Sequence, residues 1–483
     1  MTPLLVGLFL IGLMVLANFW SSARTFDEAR PLDVDDDLPW PEAAQASSVF
    51  SLTALYTAYL SVALLIGLPA LTGVAIGTVL VLVLLRRAIE RSGATNFEQF
   101  VDARLGTQAG FQPIALAYLL VAMQLGLAIS EFVVLREVAV AGLGMMQRHA
   151  LLIVLAGAVV AYYYCLVGGY RTLFRADVVQ FLAVGIMCGV LAYNGIQRML
   201  SGASLTVASR LVANPLFWNT GAPLRTPWDT VALTVTHVAI GFVMGAAYVA
   251  ASPDTWKRVF VAVRKCPTAG AFWRLVVAGA LPFVALLPFL IASPTPDAGR
   301  FIPVVFFFQA QQLTLANSSV VVGILGTFLS SFAGALLSVA QLMLLIRRAR
   351  GQRSDLRTFR NTLGSTFLIA LAAGLAFSTR GNPFFVGHIL IGAYSIAGGV
   401  LLGTKGAARL MIAQRLRVVL TVLGFAWLWY LLRDAAMVNE WSAAREAQAI
   451  GVGCIMFLLA LAATKFIAPR SLVTPPEEGP LNV

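Results

Sequence analysis

The stretch Gly168–Gln180, GGYRTLFRADVVQ, joins two long apolar runs, at residues 149–168 and 177–198. Each run is about 20 residues long, which is the length that an α-helix needs to cross the hydrocarbon core of a bilayer. The stretch between them carries Arg171 and Arg175, and basic residues of this kind are typical of cytoplasmic loops. The sequence therefore predicts two membrane spans joined by a short inner loop.

The composition of the whole chain excludes a soluble protein. Of 483 residues, 59% are hydrophobic and 12% are charged, whereas a soluble domain is about half apolar and about a quarter charged. The net charge of +12 is an excess that membrane proteins carry in cytoplasmic loops, so it does not indicate a nucleic-acid partner. The four cysteines are scattered without a CxxC pair, which argues against a zinc site or a disulfide framework.

Thirteen apolar runs, bounded by charges, prolines or glycines, have roughly the length of a membrane span. We number them as a leading span and spans 1 to 12, at residues 3–20, 48–70, 71–86, 111–143, 149–168, 177–198, 229–251, 272–292, 317–346, 362–379, 383–403, 418–433 and 447–467. The leading span has no basic segment before it and is longer than the apolar core of a signal peptide, so we expect it to be retained as a helix.

Lysine and arginine residues are distributed unequally between alternate loops. If the N-terminus lies outside, 25 of the 34 fall in cytoplasmic segments, eight in outer loops and one within a span. Because positive charge favours the cytoplasmic side, this asymmetry predicts an outer N-terminus and a cytoplasmic C-terminus. We expect an integral protein of the plasma membrane, which in bacteria is the inner membrane.

Five segments resemble motifs of the sodium:solute symporters, the family that includes the sodium/proline and sodium/sugar transporters. The stretch Gly168–Gln180 is similar to the family signature GG-x-x-A-V-x-x-T-D-x-x-Q, on the inner loop between spans 4 and 5. The other four follow the family's order along the chain and lie at residues 67–69, 95–106, 252–258 and 326–337. The resemblance covers about residues 1–430 and implies a transporter.

The resemblance implies an all-α, polytopic membrane protein with about 13 transmembrane helices and the five-plus-five inverted-repeat, LeuT-like fold. Spans 1 and 6 of such a fold unwind near the middle of the membrane and expose backbone groups to ligands. The implied units are a leading helix with a cytoplasmic loop (1–47), a first repeat (48–200), a second repeat (201–403), two appended helices (404–468) and a disordered tail (469–483).

The resemblance also implies a sodium site. Its ligands would be the hydroxyls of Ser330 and Ser331, the carbonyl of Thr327, and the carbonyls of Thr57 and Leu60 in span 1. The alternative is structural, because serines in membrane helices often bond back to the carbonyl four residues earlier. No other metal or cofactor is expected.

Span 1 departs from the family pattern. Tyr59 stands where some members carry Asp, Ser61 follows, and the run 56–66 contains no glycine to ease unwinding. We treat Tyr59 and Ser61 as candidate substrate or coupling residues. The departure leaves proton coupling open as an alternative to sodium coupling.

Three further polar residues are candidates for the substrate or coupling path. Asp177 resembles the signature aspartate and would line the inner exit path for sodium, or cap a helix N-terminus. Glu131 in span 3 would relay protons or bind a substrate amine, although pairing with Arg136 is the simpler interpretation. His237 in span 6 is placed near the unwound region, where it would line the substrate site or serve as an interior histidine.

The sequence thus predicts a secondary active transporter that moves a small organic solute with sodium by alternating access. A primary pump is disfavoured because the nucleotide-binding motif GxxxxGK[ST] is missing from the sequence. A metal enzyme is disfavoured because His149, His237 and His388 form no HxxxH or HExxH pair. The alternative is a transport-deficient relative that acts as a membrane sensor or assembly partner. The expected partners are the solute and the lipid bilayer, and the oligomeric state is left open.

Overall fold

The computed structural model describes most of the bundle. The described residues are 67–105, 111–137, 139–140, 146–201, 227–264, 270–292, 315–352, 355–378, 397–399, 401–402 and 443–462, with isolated positions at 12, 419, 422, 423 and 426. Most of span 1 lies outside these ranges, and so do its candidate residues Thr57, Tyr59, Leu60 and Ser61. The leading span, most of spans 10 and 11, and the tail also lie outside them, so the count of thirteen spans stays a prediction.

The described residues form ten helices of nine residues or more and hold no strand. In chain order these are α1 Gly67–Arg91, α2 Phe97–Leu105, α3 Phe111–Glu137, α4 Gln147–Leu200, α5 Pro227–Ala250, α6 Pro253–Arg264, α7 Ala271–Ala292, α8 Leu315–Ala349, α9 Leu356–Ser378 and α10 Ala443–Ala462. Helices α1, α3, α5, α7, α8, α9 and α10 match predicted spans 2, 3, 6, 7, 8, 9 and 12.

Helix α4 contains both spans 4 and 5. Its apolar part, Gln147–Gln197, has 51 residues, which at 1.5 Å per residue would extend about 77 Å, more than twice the thickness of a bilayer core. Gly169 interrupts the helix with φ 56° and ψ −137°, a conformation that glycine adopts without steric cost. The chain therefore bends at the glycine pair of the signature stretch, and the predicted inner connection between two spans lies there.

Five of these helices are long and apolar enough to cross a membrane, and the bent pair α5–α6 makes a sixth candidate among the described residues. Helix α8 lies at the centre of the bundle: 94% of its most apolar stretch is buried, against 33% for α1. It packs mainly against α4 and α3, while α1 packs mainly against α5. The chain is an integral membrane protein.

The join between α5 and α6 is a sharp break, with a bend of 72°. Ser252 precedes α6 in the position that caps a helix, and its hydroxyl accepts hydrogen bonds from the Thr255 backbone N–H at 3.4 Å and the Thr255 hydroxyl at 3.0 Å. Pro253 occupies the first helical position, where no backbone N–H is needed, and Asp254 in the first turn suits the positive end of the helix dipole.

The carbonyls that α5 leaves open at this break are satisfied by α6. The indole N–H of Trp256 donates to the Val249 carbonyl at 3.2 Å and to the Ala250 carbonyl at 3.0 Å. Trp256 has no solvent exposure. The Trp256 indole therefore bonds the last carbonyls of α5, and these hydrogen bonds fix the direction of α6 relative to α5.

Candidate functional site

A buried charge network joins α6 to α4. The Arg258 guanidinium of α6 is 1% exposed and forms an ion pair with Asp177 of α4, which has no exposure. Its Nε also donates to Oδ2 of Asp254 at 2.9 Å, and that carboxylate is 14% exposed. One cation therefore links two carboxylates, one from each predicted repeat. The charged groups of a buried ion pair lose their hydration, so each charge is stabilised mainly by its partner.

Aromatic rings enclose the cations of this network. The Arg258 guanidinium carbon lies 5.1 Å from the centre of the Phe174 ring, and the Lys257 ammonium lies 4.8 Å from Phe97 and 5.3 Å from Tyr170. Cations at such distances are attracted to the electron-rich ring faces. Three segments that the sequence singles out, 95–106, 168–180 and 252–258, thus meet at one place in the fold.

Helix α8 brings its own polar residues to the α4 interface. The Tyr170 hydroxyl lies 3.3 Å from the Ser338 hydroxyl, and the Cys165 thiol lies 3.5 Å from the Ala333 carbonyl oxygen. A Cβ placed on Gly334 would come within 3.0 Å of the Asp254 carboxylate. The absence of a side chain at Gly334 therefore makes room for the carboxylate that pairs with Arg258.

The three α8 residues predicted to bind sodium lie within about two turns of Gly334 on the same helix. All three are buried, at 2% exposure for Thr327, 2% for Ser330 and 8% for Ser331. Ser331 donates its hydroxyl to the Thr327 carbonyl at 2.9 Å, which is the structural alternative that the sequence leaves open. Ser330 differs, because its hydroxyl has no hydrogen-bond partner among the described residues. The interface thus holds one back-bonded serine and one available oxygen.

The location of Asp177 corrects one of its two sequence interpretations. It does not cap a helix, because α4 resumes directly after Gly169 and Asp177 lies two turns inside it. Its partner Arg258, together with Lys257, is among the 25 basic residues that the charge distribution places in cytoplasmic segments. Both are buried, at 1% and 2% exposure. The sequence did contain a signal that these two residues are more than loop charges, because Lys257-Arg258 lies in a segment that resembles a family motif.

Glu131 and His237 are buried without solvent exposure, in α3 and α5 respectively. Helix α5 is continuous from Pro227 to Ala250, and His237 lies within it, about 21 Å of helix before the bend at Ala251–Ser252. The role of His237 at a substrate site stays a prediction. Within the described part of the chain, no group of three or more His, Cys, Asp or Glu side chains is arranged to hold a metal ion.

Comparison with known proteins identifies the fold. No protein-family model and no curated protein matches the sequence. A Na+-coupled sialic acid symporter, solved in a substrate-bound outward-open state, is 11% identical, with a TM-score of 0.62 over 96% of this chain and 98% of its own. Mhp1, a nucleobase-cation-symport-1 family transporter solved in a closed conformation with bromovinylhydantoin bound, is 16% identical, with a TM-score of 0.51 over 89% and 92%. MhsT, solved in complex with L-phenylalanine, is 11% identical, with a TM-score of 0.51 over 86% and 99%.

These similarities define the class of protein. The chain is an all-α integral membrane protein with the LeuT-like fold, as the sequence predicts. At identities of 11% to 16%, the similarity extends to the fold and leaves the transported species to be argued from the residues themselves.

Proposed function

We propose that the protein is a secondary active transporter of the sodium:solute symporter type, which couples inward movement of sodium to that of a small organic solute by alternating access. The observation that carries the proposal is the LeuT-like bundle, which this chain shares over most of its length with solved sodium- and cation-coupled symporters. Transporters of this fold bind substrates and ions near mid-membrane, at the interface between the two repeats.

Two further observations support sodium coupling in particular. Among the described residues, the buried Ser330 hydroxyl has no hydrogen-bond partner, and the carboxylates of Asp177 and Asp254 lie nearby, paired with Arg258. Oxygen ligands and nearby carboxylates both suit a hard cation. The three solved neighbours are described as a Na+-coupled symporter, a nucleobase-cation symporter and a protein bound to L-phenylalanine, which fits an organic solute.

Uptake into reconstituted vesicles tests the proposal directly. Amino acids, sugars and carboxylates are offered as solutes, with either a sodium gradient or a proton gradient of equal size. Accumulation driven by sodium supports symport, and accumulation driven only by protons favours the proton-coupled alternative. Failure of every solute under both gradients, with folded protein in the vesicles, favours a membrane sensor or assembly partner.

The double substitution Ser330→Ala and Ser331→Ala is expected to weaken the sodium dependence of uptake. It removes two of the five proposed ligand oxygens, and losing a buried partner costs about 1–3 kcal/mol each, equivalent to tenfold or more in apparent sodium affinity. The measurement is a sodium titration of uptake by wild type and mutant. Thr366→Val in α9 is the matched control, because it removes a buried hydroxyl that bonds back to the Thr362 carbonyl at 2.8 Å. Superimposable titrations for wild type and double mutant would contradict the site.

We propose that the protein resides in the plasma membrane, the inner membrane of bacteria, with its N-terminus outside and its C-terminus in the cytoplasm. In a variant without native cysteines, Gln147→Cys is expected to react with an impermeant maleimide on intact cells, whereas Gln352→Cys should react only after permeabilisation. Both positions are exposed, so access to reagent is decided by the side of the membrane. The reverse labelling pattern would invert the proposed orientation.

A further inference from the structure

Gln180 of α4 and Ser330 of α8 are among the buried side chains whose polar atoms have no hydrogen-bond partner in the described part of the chain. Gln180 of α4 has no solvent exposure, and Ser330 of α8 is 2% exposed. Among the residues that the structure describes, neither polar atom of the Gln180 amide has a hydrogen-bond partner, and the Ser330 hydroxyl has none. Leaving such groups unsatisfied in a protein interior is costly, so they point to an additional bound species such as an ion or an ordered water.

The second half of α4 and helix α8 run antiparallel along their shared interface. At one end the Tyr170 hydroxyl lies 3.3 Å from the Ser338 hydroxyl. At the other end, a Cβ on Gly323 would lie 2.9 Å from the Met187 sulfur, so the two helices are in contact there as well. From the first contact to the second, residue numbers rise along α4 and fall along α8. The two contacts therefore fix which residues of α4 and α8 lie opposite each other.

This register brings Gln180 and Ser330 to the same level. Ser330 follows Gly323 by seven residues, and Gln180 precedes Met187 by seven residues. Seven residues are about two turns of an α-helix and about 10 Å of rise, so each step returns to the contacting face. Because the helices are antiparallel, both steps run in the same direction from the Gly323–Met187 contact. The two unsatisfied side chains therefore lie across from each other on facing helix surfaces.

The surroundings of this pair favour a cation over a neutral ligand. Asp177 precedes Gln180 by about one turn on the same helix and places a carboxylate near this pair, in addition to its ion pair with Arg258. The Thr327 carbonyl lies one turn from Ser330 on α8. Amide, hydroxyl and carbonyl oxygens are the ligands that hard cations take in proteins.

We propose that Gln180 is a further ligand of the cation site formed by Thr327, Ser330 and Ser331, with its amide oxygen directed at the cation from α4. The inference rests on the proposed sodium coupling and adds to it a ligand from the first predicted repeat. Sodium bound in this way is held between α4 and α8, so its affinity depends on how closely those two helices approach.

The test is a sodium titration of the thermal unfolding temperature of the purified full-length protein, with choline chloride balancing the ionic strength. A cation that binds only the folded state raises this temperature in proportion to its occupancy. Gln180→Leu is expected to raise the sodium concentration needed for half of the shift by about tenfold or more, since a buried ligand is lost. Gln180→Glu keeps an oxygen ligand and should retain a response close to that of the wild type.

Gln341→Leu in α8 is the matched control. Gln341 is 3% exposed and its amide atoms also lack partners among the described residues, but it lies about 16 Å along α8 from Ser330. Its variant should titrate like the wild type. If Gln180→Leu does not fold, Gln180→Asn replaces it in the test. Asn withdraws the amide oxygen by about one bond length, so the same loss of sodium affinity is expected.

The outcomes separate the two proposals. A wild type that responds to sodium, with Gln180 variants that respond equally, overturns the role of Gln180 and leaves sodium coupling standing. A wild type that does not respond to sodium overturns both. A sodium response weakened equally by Gln341→Leu and Gln180→Leu overturns the role of Gln180, because the effect then follows from any buried glutamine in the bundle.

Discussion

Arg258→Met is expected to destabilise the protein more than any other single substitution in the charge network. The side chain is 1% exposed and is shared by Asp177 and Asp254, so its loss takes the guanidinium away from two largely buried carboxylates. Removing one member of a buried ion pair costs about 3–5 kcal/mol, because a charge that has lost its counter-ion cannot regain its hydration in the interior. We expect a cost of at least that size, seen as a lower unfolding temperature in detergent and a lower yield of monodisperse protein.

Asp177→Asn should cost clearly less than Arg258→Met. The guanidinium keeps Asp254 as a partner after this change, and the Asn side chain still offers an oxygen to it. The double variant should be less destabilised than the sum of the two single variants, because both lie in one interaction network. Equal single effects that add in the double variant would contradict the shared role of Arg258.

Arg264→Met provides the matched control for Arg258→Met. Arg264 lies on the same helix and donates to the Ile89 carbonyl at 2.8 Å and, more weakly, to the Glu90 carbonyl at 3.3 Å, but it is exposed. After its removal the Ile89 carbonyl keeps its hydrogen bond from the Ser92 hydroxyl at 2.8 Å, so the cost should be within about 1 kcal/mol. A similar loss at both arginines would show that burial of the Arg258 ion pair is not the cause.

The charge network illustrates what the sequence could not predict. Apolar run length and loop charge predicted the described spans closely, because both are local properties of the chain. The partner of Asp177 is 81 residues away, and nothing local to either segment states which helices come together. The charge distribution along the chain therefore gives no indication that Arg258 is buried in the core.

The bend that follows span 6 was predictable from a local signal. It lies at Ala251–Ser252, and Ser252-Pro253-Asp254 is a capping serine, a first-turn proline and a first-turn acid in the order that begins a helix. Helix α5 is continuous over Pro227–Ala250, so the unwinding that the resemblance implies near the middle of span 6 is not seen in that helix.

Glycine pairs are another case in which a sequence pattern alone does not predict which helices are in contact. Gly73 and Gly77 in α1 have the four-residue spacing that brings membrane helices close together, and so do Gly185 and Gly189 in α4. The structure distinguishes them. A Cβ on Gly73 would lie 2.7 Å from the Phe242 backbone nitrogen of α5, whereas no described atom beyond its own helix lies within 4 Å of a Cβ on Gly185 or Gly189.

Gly77→Leu is therefore expected to disrupt the α1–α5 pair. Its Cβ would meet the Phe242 carbonyl oxygen and lie 3.0 Å from the Ala246 backbone nitrogen, and backbone atoms cannot rotate away as a side chain can. Overpacking of this kind costs about 1–3 kcal/mol and occasionally more. We expect the upper part of that range or beyond, because separation of α5 from α1 also shifts the α5–α6 break. The measurement is the unfolding temperature in detergent.

Gly189→Leu is the control with identical chemistry and spacing. Its side chain would extend from an exposed face, so the variant should unfold at or slightly above the wild-type temperature, since leucine favours a helix over glycine by roughly 0.8 kcal/mol. The contrast between the two variants isolates backbone contact from helix propensity. Equal destabilisation by both, or none by Gly77→Leu, would mean that α1 and α5 do not approach each other through these glycines.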